Sequence, residues 1–236
     1  SIMPEKEVTM KLASGSEIRY LSQWAIDSNV CQSEFSEEPF LRTLERSDLT
    51  THVYEGGLKV WECSKDLCEL IEAEAEIVKG KNIVELGCGG ALPSIMALHM
   101  GAKTLWLQDF NAAVLACFTM ENLKLNGVES GDVHCVAAPW NGIRGQGGIP
   151  PKSAEVVLSS ETIYNEEDYP HLHDAIVHVL KDDGIALIAG KMIYFGLSGS
   201  VPSFADYVKS RGILSVKEKK IIQASVPRII LELARV

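Results

Sequence analysis

Ile83-Val84-Glu85-Leu86-Gly87-Cys88-Gly89-Gly90-Ala91-Leu92-Pro93 is the stretch that decides the fold. Apolar positions lead into a carboxylate, a glycine-dense turn follows, and Leu92-Pro93 opens a helix. A buried strand ending in such a turn presents bare backbone N–H groups and a helix N-terminus to a ligand. Asp109, twenty-four residues after Glu85, closes a second apolar strand, Thr104-Leu105-Trp106-Leu107-Gln108. A carboxylate about 20 residues on, at the end of the second strand, is placed to take a ribose hydroxyl pair. Together the two features predict a nucleoside-containing cofactor.

The alternation continues outward. Leu67, Leu70, Ile71, Ala75 and Val78 predict a helix over 64–78, entered through Gly56-Gly57 and ended by Gly80. Strands are expected at 82–86, 104–108, 133–137, 155–159 and 185–189, and helices over 92–100, 112–125, 169–180 and 201–210. Asp182-Asp183-Gly184 reads as the turn before the fifth strand. The stretches 213–222 and 228–236 have no helix between them and read as an antiparallel hairpin. Strand–helix alternation implies a parallel sheet, and the hairpin breaks that alternation. The expected fold is therefore α/β: a Rossmann-like, seven-stranded sheet, mostly parallel, with an antiparallel C-terminal strand and helices on both faces. This is the plan of the S-adenosylmethionine-dependent methyltransferases, whereas dehydrogenase-type domains continue with βα units. The expected division is an N-terminal cap or extension over 1–46 and the methyltransferase domain over 47–236. Within the cap, Ser14-Gly15-Ser16 is a turn and 29–39 a Ser/Glu-rich loop.

Composition narrows the function class. The 236 residues are 46% hydrophobic and 23% charged, ordinary for a globular domain. No run approaches the roughly 20 apolar residues of a membrane span, and residues 1–11 lack the basic-then-apolar order of a secretory signal. Six cysteines form no C-x-x-C pair and no Cys/His set with zinc spacing, so no metal is expected. They read as free thiols of a reducing compartment, the cytoplasm or nucleus. A net charge of −10 disfavours direct nucleic-acid binding and suits a basic protein substrate. A monomer is expected.

The turn separates cofactor types. A dinucleotide fingerprint counted from Gly87 places its last glycine at Leu92, whereas acidic-x-Gly-x-Gly-x-Gly is met by Glu85, Gly87 and Gly89, with Ala91 in the last position. S-adenosylmethionine has no pyrophosphate and needs close backbone approach rather than a phosphate cradle. Glu85 is expected to accept from its ammonium group, directly or through water, the alternative being a strand-end carboxylate satisfied by loop N–H groups. Asp109 is expected to accept from both ribose hydroxyls, and Phe110 to stack on adenine. The alternative for Asp109 is the N-cap of the helix near Ala112. Pro139-Trp140 follows the third strand, where a tryptophan would either wall the pocket or pack in the core or on the surface. Ser159-Ser160-Glu161-Thr162-Ile163-Tyr164-Asn165 ends the fourth strand, facing the transferable methyl group. Glu161 and Tyr164 are the candidate catalytic pair. The six histidines form no metal triad and read as solvated or packing residues.

Ser47-Asp48-Leu49, Val53-Tyr54-Glu55-Gly56-Gly57-Leu58-Lys59-Val60-Trp61-Glu62-Cys63, the Glu85 turn, Gln108-Asp109-Phe110-Asn111, Ser160-Glu161-Thr162-Ile163-Tyr164-Asn165 and Tyr194-Phe195-Gly196 occur in that order. In these the chain resembles the protein-histidine methyltransferases, whose eukaryotic members act on a large-subunit ribosomal protein. The Glu-x-x-Tyr at 161–164 is shared with related protein-lysine methyltransferases. The resemblance implies a cofactor wall at Val60, Trp61, Glu62, Cys63 and Ser64, completed by Gly87, Gln108, Asp109, Phe110, Pro139, Trp140 and Ser160. It implies methyl transfer to an imidazole of a basic ribosomal protein. The rivals are a protein-lysine methyltransferase on the same scaffold and a non-catalytic cofactor-binding assembly factor.

Overall fold

A computed structural model describes residues 3–38 and 56–236. Residues 47–55, which carry part of the family resemblance, and Pro39 lie outside them. The described chain begins with a hairpin, β1 (Glu7–Lys11) and β2 (Glu17–Leu21), turning at the expected glycine. A helix, α1 (Gln23–Cys31), follows. The Ser22 side chain caps it by accepting from Ala25 N–H. No element was expected at its start, and it runs into the loop expected at 29–39. Polar Ser28, Asn29 and Gln32 obscure the pattern, but Ala25, Ile26 and Val30 make a buried stripe. That stripe packs on Ala113, Val114 and Phe118, while Met10, Leu12 and Ile18 of the hairpin join the main core.

The rest is a layered α/β unit. In chain order come α2 (Glu62–Ala73), β3 (Asn82–Leu86), α3 (Leu92–His99), β4 (Thr104–Asp109) and a helical segment, α4 (112–125). Next are β5 (Val133–Ala137), β6 (Ala154–Ser160), α5 (Tyr169–Val179) and β7 (Leu180–Lys191). The chain closes with α6 (Val201–Arg211), β8 (Leu214–Ile222) and β9 (Arg228–Arg235). Seven of these strands form one sheet in the order β5-β4-β3-β6-β7-β9-β8. Its first four pairings are parallel, and β9 runs antiparallel to both β7 and β8.

Strand residues alternate between two cores. Ile83, Leu105, Leu107 and Leu158 face α2 and α3 through Leu67, Ile71 and Ile95. Val84, Leu86, Val157 and Ile188 face α5 and α6 through Leu172, Ile176 and Phe204. The strand order reverses between β3 and β6, so the crevice of this sheet opens at the carboxyl ends of β3, β4 and β6.

Two expectations are corrected. Asp182-Asp183-Gly184 is no turn before β7; the strand already pairs at Leu180, and these residues bulge out where the register passes from Ala154↔Leu180 to Val156↔Ile185. Glycine is needed there, because a Cβ on Gly184 would lie 2.8 Å from the Glu155 carbonyl oxygen. The helix over 112–125 is also not continuous: α4 runs Ala112–Val114, loosens into a π turn at Leu115–Thr119 and resumes at Met120–Leu125. The wider turn brings two side chains under the glycine turn. Thr119 Oγ1 donates to Gly89 O at 2.6 Å, and Asn122 Nδ2 to Gly90 O at 3.1 Å.

The glycine turn is tight. Gly87 and Gly89 have φ of +65° and +49°, and Ala91 is itself left-handed at φ +57°. The departure from glycine at Ala91 thus stores strain, on the order of 1 kcal/mol. A Cβ on Gly87 would sit 2.7 Å from Thr162 Cγ2, and Thr162 is pinned by a 2.6 Å hydrogen bond to Ser159. Gly87→Ala is expected to lower the unfolding free energy by about 2 kcal/mol or more, from the left-handed backbone plus the overlap. Urea denaturation measures it, and an unchanged midpoint would refute it.

Candidate active site

A cavity of about 380 Å³ occupies the crevice. Two side chains at the end of β4 fix its floor. Gln108 Oε1 accepts from Gly87 N–H at 2.8 Å and from Trp140 Nε1–H at 3.1 Å, while its Nε2 donates to Ala138 O at 2.7 Å. Asp109 Oδ2 accepts from Gly89 N–H at 2.9 Å, and its Oδ1 from Asn111 N–H at 3.3 Å. The N-cap of α4 is Asn111, so Asp109 braces the glycine turn rather than capping the helix.

Of the residues expected around a cofactor, Val60, Trp61, Ser64, Gly87, Gly89, Gln108, Asp109, Phe110, Pro139, Trp140 and Ser160 line this cavity. Three do not. Glu85 lies behind the turn, fully buried, and its Oε2 accepts from both the backbone N–H (3.1 Å) and the hydroxyl of Ser94. Its Oε1 has no hydrogen-bond partner among the described residues. Glu85 therefore serves the first turn of α3 instead of facing a ligand. Glu62 faces a second cavity, and Cys63 is buried beneath both. At the start of a helix, successive side chains point about 100° apart, so a contiguous string cannot line one wall.

Gly57, Asn141, Asp168 and His171 also line the cavity and were missed. Gly57 read only as a turn; a Cβ there would lie 3.2 Å from Asp109 Oδ1. His171 looked like a solvated histidine, and nothing in its neighbours' spacing marks the rim position that α5 gives it.

The second cavity, about 320 Å³, shares Trp61, Glu161 and Tyr164 with the first. Besides Glu62, the other lining comes from the end of β7, the loop after it and the turn into β9, and includes Lys191, Tyr194 and Arg228, with Ile193, Phe195 and Leu197. Phe195 is 79% exposed and, with Ile193 and Leu197, gives an apolar surface at the mouth.

Glu161 stands where the cavities join. It follows β6 with φ +56°, unusual for a residue with a Cβ, and its N–H donates to Ala189 O at 2.9 Å. Its carboxylate is 6% exposed. Oε1 accepts from Cys63 Sγ at 3.2 Å and Tyr194 OH at 3.5 Å, and lies 3.6 Å from Lys191 Nζ. Oε2 is buried without a hydrogen-bond partner among the described residues. Burial pushes the Glu161 carboxyl above the usual range, and Lys191 opposes the shift. Burial and the Glu161 charge push the Cys63 thiol and the Tyr194 phenol up, so both stay protonated donors. Tyr164 packs edge-on to Tyr194, with ring centroids 6.3 Å apart.

The bare backbone of Gly87 and Gly89, the Asp109 carboxylate and the Phe110 and Trp140 rings fit a nucleoside. The adjoining opening, with a buried carboxylate at its base, fits a second reactant. The fold is that of the Rossmann-like methyltransferases. The ribosomal protein L11 methylase of Lactobacillus delbrueckii subsp. bulgaricus superposes with a TM-score of 0.56 at 18% identity, covering 77% of this chain and 83% of that one. The chain belongs to the family described as lysine methyltransferase, whose model matches residues 45–195, and S-adenosylmethionine is the methyl donor of that family. Its relatives include the histidine protein methyltransferase 1 homologues of Bos taurus and Dictyostelium discoideum. The bovine protein is 32% identical, covering 79% of this chain and 57% of its own length. The Dictyostelium protein is 30% identical, covering 80% and 60%. The chain thus spans under two thirds of the length of these relatives.

Glu85 gives a test of the floor that needs no ligand. Burial raises its pKa to about 8, with the Ser94 hydrogen bonds opposing. The fold holds a proton that the unfolded chain releases near pH 4.3, so this contribution to stability is full below that pH and declines as pH rises toward 8. Glu85→Gln, which keeps an acceptor for Ser94, is expected to flatten that decline. Unfolding free energies of the two proteins between pH 5 and 9 measure it, and parallel curves would refute it.

Proposed function

We infer that this chain is a protein-histidine N-methyltransferase, transferring methyl from S-adenosylmethionine to an imidazole nitrogen of a protein. The position of Glu161 at the junction of the two cavities carries the reading, and the names of the relatives support it. The first cavity holds the cofactor: Asp109 takes the ribose hydroxyls, Phe110 and Trp140 flank the base, and the wall at Val60, Trp61 and Ser64 closes the side. Asp109→Ala is expected to raise the Kd for S-adenosylhomocysteine at least about tenfold by removing a charge-assisted acceptor. Calorimetry measures it, and an unchanged Kd would place the ribose elsewhere.

The bound cofactor supplies an electrophilic methyl group whose sulfonium carrier leaves as a neutral thioether. Histidine needs little activation, because an imidazole of ordinary pKa, about 6.5, is mostly neutral at pH 7. Glu161 accepts Nδ1–H and so leaves the Nε2 lone pair free, as the acid of a hydrolase triad does for its histidine. As methylation makes the ring cationic, the same carboxylate stabilises it and takes the Nδ1 proton. Tyr164 shapes the opening, and alignment of nucleophile and methyl group contributes the remainder. The net charge of −10 suits a basic substrate, and a large-subunit ribosomal protein is the candidate. The description of the family favours a second reading, a lysine acceptor.

Incubation with labelled S-adenosylmethionine and large-subunit ribosomal proteins, followed by residue-level mass spectrometry, separates the two. Label on histidine is expected, and label on lysine would replace this reading with the second. Glu161→Gln is expected to lower kcat about a hundredfold or more, with the Kd for S-adenosylhomocysteine within about twofold of wild type. Full turnover in this variant would remove Glu161 from the mechanism.

A further inference from the structure

The second cavity has an unusual charge arrangement for a pocket that would receive a lysine. Its carboxylates, Glu62 and Glu161, are both held by one internal cation, Lys191, whose Nζ lies 3.1 Å from Glu62 Oε2 and 3.6 Å from Glu161 Oε1. Lys191 ends β7, and its Cα partner across the antiparallel pairing is Arg228, the first residue of β9. Arg228 lines the same cavity, with its guanidinium engaged by Asp66 at 2.6 and 3.1 Å. The sheet therefore sets two cations side by side at the edge of the pocket. The Lys191 side chain is only 23% exposed, with Nζ 6.0 Å from the Tyr194 ring centroid, and it sits beside the carboxylate on which the acceptor would act.

A lysine acceptor, with a pKa of about 10.4, is neutral in only about one molecule in 2,500 at pH 7. A methyltransferase for lysine therefore gains from an unpaired carboxylate, which binds the ammonium and helps it shed its proton. Here Lys191 already occupies that place, and a second ammonium would meet a like charge in a half-enclosed site. Neutral imidazole, about three quarters of an ordinary histidine at pH 7, meets no such repulsion and still finds Glu161 as an acceptor.

We propose that Lys191 is a specificity-determining residue, an internal ammonium that occupies the acceptor-side carboxylates and so turns the pocket from lysine to a neutral imidazole. The proposal rests on the histidine reading above. Its test uses two small probes, imidazole and n-butylamine, titrated at pH 7 into the S-adenosylhomocysteine-loaded protein by NMR. Wild type is expected to bind imidazole at least about tenfold more tightly than n-butylamine. Lys191→Met is expected to shrink that ratio at least about fivefold, and Lys191→Arg, which keeps the charge, to preserve it. An unchanged ratio in Lys191→Met, a wild-type preference for n-butylamine, equal loss in the Arg variant, or no binding of either probe would each overturn the proposal. S-adenosylhomocysteine affinity serves as the folding control for each variant. Failure of the histidine reading is seen separately, as label on lysine in the mapping experiment.

Discussion

The site depends on the capture of two backbone N–H groups by the side chains that end β4. Gly87 N–H goes to Gln108 and Gly89 N–H to Asp109. These bonds bind the turn after one strand to the tip of the next, so the two walls of the cofactor cavity cannot move independently. Only glycine has the backbone freedom and close approach that Gly87 requires. Thr119 and Asn122 complete the bracket by taking the Gly89 and Gly90 carbonyls, which is why α4 loosens by one residue where it passes the turn. A feature that looks like a helix defect is the fit between a helix and a loop whose carbonyls need partners.

A different constraint governs the neighbouring cavity. Removing the Glu161 carboxylate from water costs free energy that must be offset by donors or a counter-charge. The offset comes from three elements: Cys63 from α2, Tyr194 from the loop after β7, and Lys191 from the end of β7. Asp66 of α2 and Arg228 of β9 tie the first of these elements to the strand that pairs with β7, through a bidentate pair. The acceptor side is thus assembled from residues 98, 30 and 33 positions away from Glu161 in sequence, and the antiparallel hairpin that ends the chain sets Arg228 beside one of them, Lys191.

That long-range assembly explains what was legible. The alternation of apolar strands and amphipathic helices is a local signal, and it placed β3 and β5 at their observed bounds and the closing hairpin within a residue or two. The glycine turn and Asp109 were legible because one supersecondary unit contains them both. The role of Glu85 was not legible, because an acidic residue before a glycine turn has two uses, facing the ligand or holding the next helix, and the Ser94 contacts that place it on the next helix lie outside the pattern. Glu62 and Cys63 were carried over as part of a contiguous string, although helical geometry divides that string among three environments. Lys191 left no trace in the pattern, since a basic residue at a strand end is ordinary until β9 pairs beside it.

The shared scaffold of lysine- and histidine-directed enzymes sharpens the last point. On the proposed reading, glycine turn, acidic β4 end and Glu-x-x-Tyr serve the cofactor and hold a nucleophile of either kind, so none of them can choose between an ammonium and an imidazole. The two nucleophiles differ chiefly in charge at neutral pH, and charge is read most strongly where solvent is scarce. Discrimination should therefore reside in the balance of fixed charges around the acceptor opening rather than in the motif that names the fold. In this chain that balance is set at the junction of β7 and β9, the part of the sheet farthest in sequence from the glycine turn.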